Sequence, residues 1–252
     1  MIEFVPLIAV SALVGYLVGL TGVGGGALMT PILILGFGVG PLVAIATDLL
    51  FATITKVFAT LVHSSKKSVD WKTARTLWTG SIPGVIIGLG FVVLIGTQIE
   101  TAITLLLAAI LFFTAFSMFF SKTISLPGKP VTQARLGGGF IGFAVSTTSV
   151  GAGALGMALL RTLLGDRNPH RLVGTDLVHA IPVALLGGVG YAFAGLVDAN
   201  LLGHILLGAI PGSIAGSFSS LKLRGEYLRP VLATALLVAA TLLFLNSIDF
   251  GS

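Results

Sequence analysis

Thr21-Gly22-Val23-Gly24-Gly25-Gly26 and Thr148-Ser149-Val150-Gly151-Ala152-Gly153 break two otherwise apolar stretches with one shared pattern, Thr-x-Val-Gly-x-Gly. Glycine tolerates φ > 0 and close backbone approach, so each break is a place where an apolar helix stops and restarts. Lipid cannot satisfy the amides and carbonyls freed there, so protein, water or a ligand must do so. Matching interruptions in the two halves of a membrane chain point to a transport site where they meet.

The rest of the sequence puts these breaks in a bilayer. Of 252 residues, 55% are hydrophobic and 9% charged, too few polar groups to coat a soluble globule. Apolar stretches follow one another from Phe4 to Leu245 and leave no room for a soluble domain, so the expected fold class is an all-α polytopic membrane protein. The net charge of +5 does not indicate nucleic acid, because the basic residues sit in short connections without interleaved aromatics. Cysteine is absent, which excludes disulfides, thiolate metal sites and cysteine nucleophiles. No two histidines have a metal-ligand spacing with a carboxylate, so neither a metal nor a cofactor is expected. Met1-Ile2-Glu3-Phe4 lacks a basic leader and reads as the start of the mature chain.

Six uninterrupted stretches are long enough to cross a bilayer as helices, at about 42–62, 76–95, 99–120, 173–194, 200–220 and 229–247. The two broken stretches cover about 4–35 and 137–161, and each of their arms is only about 13 to 17 residues, short for a full span. Thirteen of the fourteen Lys and Arg residues fall in four segments: Lys66 to Arg75, Lys122 to Arg135, Arg161 to Arg171, and Lys222 to Arg229. Basic residues accumulate on cytoplasmic loops, so all four segments are expected inside. The six spans then alternate correctly only if each broken stretch starts and ends on one side. Both are therefore expected to be re-entrant hairpins, the first entering from outside and the second from inside, with both termini outside.

An internal duplication supports this arrangement. Adding 128 carries Thr47-Asp48-Leu49 onto Thr175-Asp176-Leu177, Val69-Asp70 onto Val197-Asp198, and Gly80-Ser81-Ile82-Pro83-Gly84 onto Gly208-Ala209-Ile210-Pro211-Gly212, while the breaks match at an offset of 127. Each half then holds one glycine-broken re-entrant helical hairpin and three transmembrane helices, and an odd number of crossings inverts the second half. The expected organisation is repeat 1 over 1–121, an inner linker over 122–136, and an inverted repeat 2 over 137–252. Inverted repeats of this kind are a plan of secondary transporters.

Several side chains carry chemistry in this frame. Helices restart after the breaks at Ala27 and Ala154, and two N-termini reaching the midplane from opposite leaflets offer free N–H groups to an anion. The expected substrate-binding residues are Thr21, Gly22, Gly24, Gly25, Gly26, Ser146, Thr147, Thr148, Ser149, Gly151, Gly153 and Lys56. The plain alternative for the glycines is close helix packing. Lys56 is the basic residue well inside a span, where an unpaired ammonium is costly; its partner is a substrate anion or a carboxylate such as Asp176, unless it snorkels to the inner surface. Asp48 and Asp176, equivalent by the repeat, are expected in the first turns of their helices, capped by Thr47 and Thr175. The sharper reading makes Asp48, Asp176, His179, Thr47 and Thr175 the coupling or gating group for protons or cations. Pro83 and Pro211, flanked by Gly80, Gly84, Gly88 and by Gly208, Gly212, Gly216, suggest kinked helices with small faces against the hairpins.

Two other classes stay in view. Gly22 to Ala27 loosely matches a dinucleotide fingerprint, but no strand precedes it. The Thr-x-Val-Gly-x-Gly pattern is also similar to a potassium filter, so an ion channel built from two such re-entrant loops is the alternative function. An enzyme is not expected, since nucleophile, base and orienting group do not occur together at helical spacing.

The early Gly22-Val23-Gly24-Gly25-Gly26 with the following Pro31, the Thr-Asp pair, the repeated Gly-x-Ile-Pro-Gly-x-x-x-Gly and the second Ser/Thr-rich break together resemble the TauE/SafE sulfite-exporter family of membrane permeases, of the toluene-sulfonate uptake type. The resemblance covers nearly the whole chain. It implies a multi-pass inner-membrane transporter, with the lipid bilayer as setting and sulfite, sulfoacetate or another sulfonate as cargo. Ala152 stands where the first half has Gly25, so the two hairpins are not identical. Exposed small-residue faces would permit a homodimer.

Overall fold

The computed structural model describes residues 4–21, 26–63, 69–95, 100–119, 130–164, 169–220 and 228–249. Ten α-helices make up the described residues: α1 (Phe4–Thr21), α2 (Gly26–Phe37), α3 (Pro41–His63), α4 (Trp71–Ile95), α5 (Glu100–Phe119), α6 (Pro130–Thr148), α7 (Ala154–Leu164), α8 (Pro169–Phe193), α9 (Ala199–Ser220) and α10 (Leu228–Asp249). Helices are the form such apolar sequence takes in lipid, because each backbone donor finds its acceptor within the segment. Seven of them are long and apolar enough to cross a membrane: α1, α3, α4, α5, α8, α9 and α10.

The broken stretches differ from expectation: the first arm α1, expected to be short for a full span, is itself long and apolar enough to cross a membrane, a seventh span beside the six expected. Their arms are unequal: α1 and α6 have 18 and 19 residues, whereas α2 and α7 have 12 and 11. At 1.5 Å per residue the first arms reach roughly 27 to 29 Å and the second roughly 16 to 18 Å. The difference is greatest in α6, which starts at Pro130 and runs through Gln133 and Arg135 before its apolar part begins. Proline at the first helical position, where its missing N–H costs nothing, explains the early start.

Two helices form the centre. Over their most apolar windows α3 and α8 are 72% and 56% buried, against 33–44% for the other five spans. They pack on one another, α9 packs on α3, and α4 packs on α8. Around them α1 lies along α9, α4 along α6, and α5 along α10. Leu107, Leu111, Leu236 and Leu243 fill the α5–α10 side of the core. Phenylalanines such as Phe112, Phe116, Phe218 and Phe244 face outward, as a lipid-covered surface requires.

The tight contacts come in matched pairs. A Cβ on Gly80 or Gly84 of α4 would strike the carbonyls of Arg135 or Gly139 on α6, and one on Gly208 or Gly212 of α9 would strike those of Ile8 or Ala12 on α1. From the other side, Gly142 of α6 lies on the Ser81 carbonyl and Gly15 of α1 on that of Ala209. Small residues let these backbones touch where lipid supplies no hydrophobic drive for association. The small faces beside Pro83 and Pro211 thus lie against the long first arms, α4 on the second and α9 on the first.

The helix entries follow the same offset. Asp70 caps α4 by accepting from the Thr73 amide at 3.0 Å, and Asp198 caps α9 by accepting from Leu201 at 2.9 Å. Their own amides donate to Thr175 at 2.9 Å and to Thr47 at 3.2 Å. Arg171 adds an ion pair to Asp70 at 2.7 Å, with the arginine half-exposed.

Candidate functional site

The second break shows how the chain stops and restarts. Ser149 has φ 59° and Gly151 φ 119°, both in the region that favours glycine. Thr148 closes the turn, its hydroxyl donating to the Ala144 carbonyl at 2.7 Å and accepting from the Val150 amide at 3.2 Å. Helix α7 then begins at Ala154, with Gly156 donating to Gly151 at 3.1 Å and Met157 to Gly153 at 2.9 Å. The amides of Ala152 to Leu155, earlier in that turn, have no acceptor among the described residues, as geometry dictates for the start of a helix.

Gly151 to Ala154 line a cleft together with Ala27 at the start of α2, Lys56 and Ala52 on α3, and Ser149 at the break. The cleft is narrow, with room for about one water molecule between its walls. The starts of both short helices therefore meet one cleft, with an ammonium on its wall. Lys56 is 1% exposed, so it does not snorkel to the surface. Among the described residues no carboxylate lies in ion-pair contact with it.

The two aspartates are held differently. Asp48 Oδ2 accepts from Thr30 of α2 at 2.5 Å and from Ser149 at 2.9 Å, tying both short-helix segments to α3, while its Oδ1 is buried without a partner. Asp176 has neither oxygen hydrogen-bonded, although it is 1% exposed. It lies so close to α7 that a Cβ on Gly156 would strike its Oδ1. His179, one turn on, contacts the Ser81 hydroxyl through Nε2 at 2.7 Å. Because that hydroxyl donates to Leu77, the ring N–H is the donor in this contact, and Nδ1 is left buried without a partner.

The placement of Asp48 and Asp176 corrects one expectation. Helices α3 and α8 start at Pro41 and Pro169, so both aspartates are eighth in their helices, about two turns in, where no free N-terminal amides remain. Thr47 and Thr175 likewise do not cap their own helices; each accepts the amide that leads into α9 or α4.

The other expected residues divide. Lys56, Ser149, Gly151 and Gly153 come together at the cleft. The hydroxyls of Ser146 and Thr147 turn back to the Phe143 carbonyl, and that of Thr21 to Leu17. Gly26 opens α2, and Gly22, Gly24 and Gly25 lie outside the described residues. The sequence reading missed Thr30, Ser81 and Tyr191, whose hydroxyl donates to the Ser146 carbonyl at 2.6 Å and fixes α6 to α8. Thr30 carried a signal, as a lone hydroxyl one turn into an apolar helix; its partner, 18 residues away, did not.

A bundle of membrane-crossing helices with two short interrupted ones around a cleft lined by Lys56 fits the plan of membrane transporters, the class to which its relatives belong. The family model described as Sulfite exporter TauE/SafE matches residues 7–243, and the chain belongs to that family. It is 34% identical to the probable membrane transporter protein YjnA of Bacillus subtilis over 93% of this chain and 97% of that one. It is also 28% identical to a probable membrane transporter protein of Haemophilus influenzae (96% and 93% covered), and 25% identical to YdhB of Bacillus subtilis (94% and 99% covered). No solved structure matches significantly.

Proposed function

We propose that this chain is a secondary transporter of a small sulfur-containing anion, sulfite or a sulfonate such as sulfoacetate, which binds between the N-termini of α2 and α7 and crosses by alternating access. The observation that carries the reading is the shared cleft: Ala27 of α2, Gly151 to Ala154 at the start of α7 and Lys56 of α3 all line it. A pyramidal or tetrahedral oxyanion can accept from amides on one side and from an ammonium on the other. The membership in a sulfite-exporter family supports the chemical class of the cargo.

Two inverted repeats, 1–121 and 137–252 about an inner linker, supply the moving parts. Support comes from the matched contacts: α1 on α9 against α6 on α4, and the Thr47–Asp198 bond against the Thr175–Asp70 bond. The hairpins enter from opposite leaflets, and rocking of one repeat on the other exposes the cleft to each side in turn. An ammonium on the cleft wall weighs against a cation filter at the same place.

Flux in proteoliposomes tests this. Saturable, protein-dependent uptake of sulfite or a sulfonate, with counterflow, is expected. Equal flux with and without protein for every anion tried contradicts the proposal, and unsaturable cation conductance in a planar bilayer would favour the channel.

A further inference from the structure

Asp176 is a carboxyl group with no hydrogen-bond donor on either oxygen among the described residues, 1% exposed, two turns into α8, one of the two most buried helices. An ionised carboxylate in such a place needs either charge compensation or hydrogen bonds. Of the helices packed on α8, α3 brings Lys56 and Asp48, α4 carries Lys72 and Arg75 with Asp70 as its cap, α6 carries Arg135, α7 carries Arg161, and α8 itself carries Arg171 and His179. Lys56 and Asp176 share the start of α7: Lys56 lines the cleft with Gly151 to Ala154 and Asp176 Oδ1 lies against Gly156, with no ion pair between them among the described residues. One lysine therefore stands both near a buried carboxyl group and on the wall of the cleft.

Resting on the transport reading above, we propose that Asp176 is the proton-carrying group of the cycle and that it exchanges Lys56 with the transported anion. With the cleft empty, Lys56 compensates an ionised Asp176. When an anion enters, Lys56 turns to it, and Asp176 takes one proton from the aqueous phase on that side. The carboxylate gains the proton as a new O–H bond, and the anion gains the ammonium as its counter-ion. For a monovalent anion the loaded carrier has added one negative and one positive charge, so the translocation step is electroneutral. Release on the far side reverses both events: the anion leaves, the proton leaves Asp176, and Lys56 returns.

The geometry accounts for the unlike surroundings of the two repeat-related aspartates. Asp48 has two hydroxyl donors, from Thr30 and Ser149, that stabilise its ionised form. Asp176 meets the bare backbone of Gly156, which leaves room for a proton but no donor. Gly156 is thus part of the device: a side chain there would displace the carboxyl group.

Lumenal pH during anion influx is the test, in proteoliposomes of the full chain loaded with a pH indicator and clamped at zero potential with potassium and valinomycin. Methanesulfonate is the probe, since as a strong-acid anion it cannot itself carry a proton across. The expected result is lumenal acidification of about one proton per methanesulfonate with the natural chain. Asp176→Asn should still exchange the anion in counterflow but give at least a tenfold smaller proton signal than the natural chain under the net-influx condition, and Asp176→Glu should restore part of that signal. Methanesulfonate influx by the natural chain without acidification overturns the proton role whether or not the variant folds, as does full acidification by Asp176→Asn. Absence of protein-dependent flux for methanesulfonate and sulfite alike contradicts the transport reading itself, and the proton role falls with it.

Discussion

At the residue scale, the cleft derives its chemistry from a few buried polar groups that an apolar chain retains at a cost. Lys56 is the clearest of them, an ammonium 1% exposed beside the start of α7. Lys56→Gln keeps length and hydrogen bonding but removes the charge. We expect it to raise the KM for sulfite or sulfonate flux at least tenfold, about 1.4 kcal/mol of lost binding; an unchanged KM would remove Lys56 from the site. Thr30→Val deprives Asp48 of one of its two donors and should lower stability by about 1 to 3 kcal/mol, read as an earlier melting transition in detergent. The candidate site was only partly legible at this scale. Lys56, Asp48 and Asp176 stand out because ionisable residues are rare in such sequence, and Gly151 because its backbone conformation demands glycine. Thr30, Ser81 and Tyr191 did not, because their partners lie 18, 98 and 45 residues away and no local pattern encodes them.

At the element scale, glycine stripes decide how the helices meet. Gly142 of α6 lies against the Ser81 carbonyl of α4, and Gly15 of α1 holds the matching place on Ala209 of α9. Either glycine replaced by valine must push two backbones apart, an overpacking cost of about 1 to 3 kcal/mol. We expect Gly142→Val to destabilise more than Gly139→Val on the same helix, where the nearest atom to an added Cβ is the Gly80 carbonyl oxygen at 3.7 Å. Equal melting temperatures for the two variants would contradict this account of the interface. Six of the seven spans were legible, because long apolar runs have few alternatives in a bilayer; α1 was not, because the break after Thr21 made its stretch look like two short arms. Helix starts were less so, since apolarity marks the lipid-facing part of a helix and not its first turn. Prolines at 41, 130 and 169 mark where α3, α6 and α8 begin, several residues before the apolar pattern of α6 and α8 does. Reading those prolines as first helical positions would have put Asp48 and Asp176 two turns inside.

At the scale of the whole molecule, the proposal is two inverted repeats whose short helices converge on one cleft. The natural absence of cysteine makes its topology testable, because single cysteines can be labelled without background. Glu100→Cys should react with a membrane-impermeant thiol reagent from outside only and Lys129→Cys from inside only. Labelling of both from one side would contradict the orientation drawn from the basic segments. The central claim is that an oxyanion sits between the starts of α2 and α7, and the most direct measurement is a crystal structure with selenite, the selenium analogue of sulfite. The account predicts an anomalous selenium peak in the cleft, within hydrogen-bonding reach of the Ala152 to Leu155 amides and the Lys56 ammonium. Selenium found only at the basic loops, with the cleft empty at saturating selenite, would contradict it.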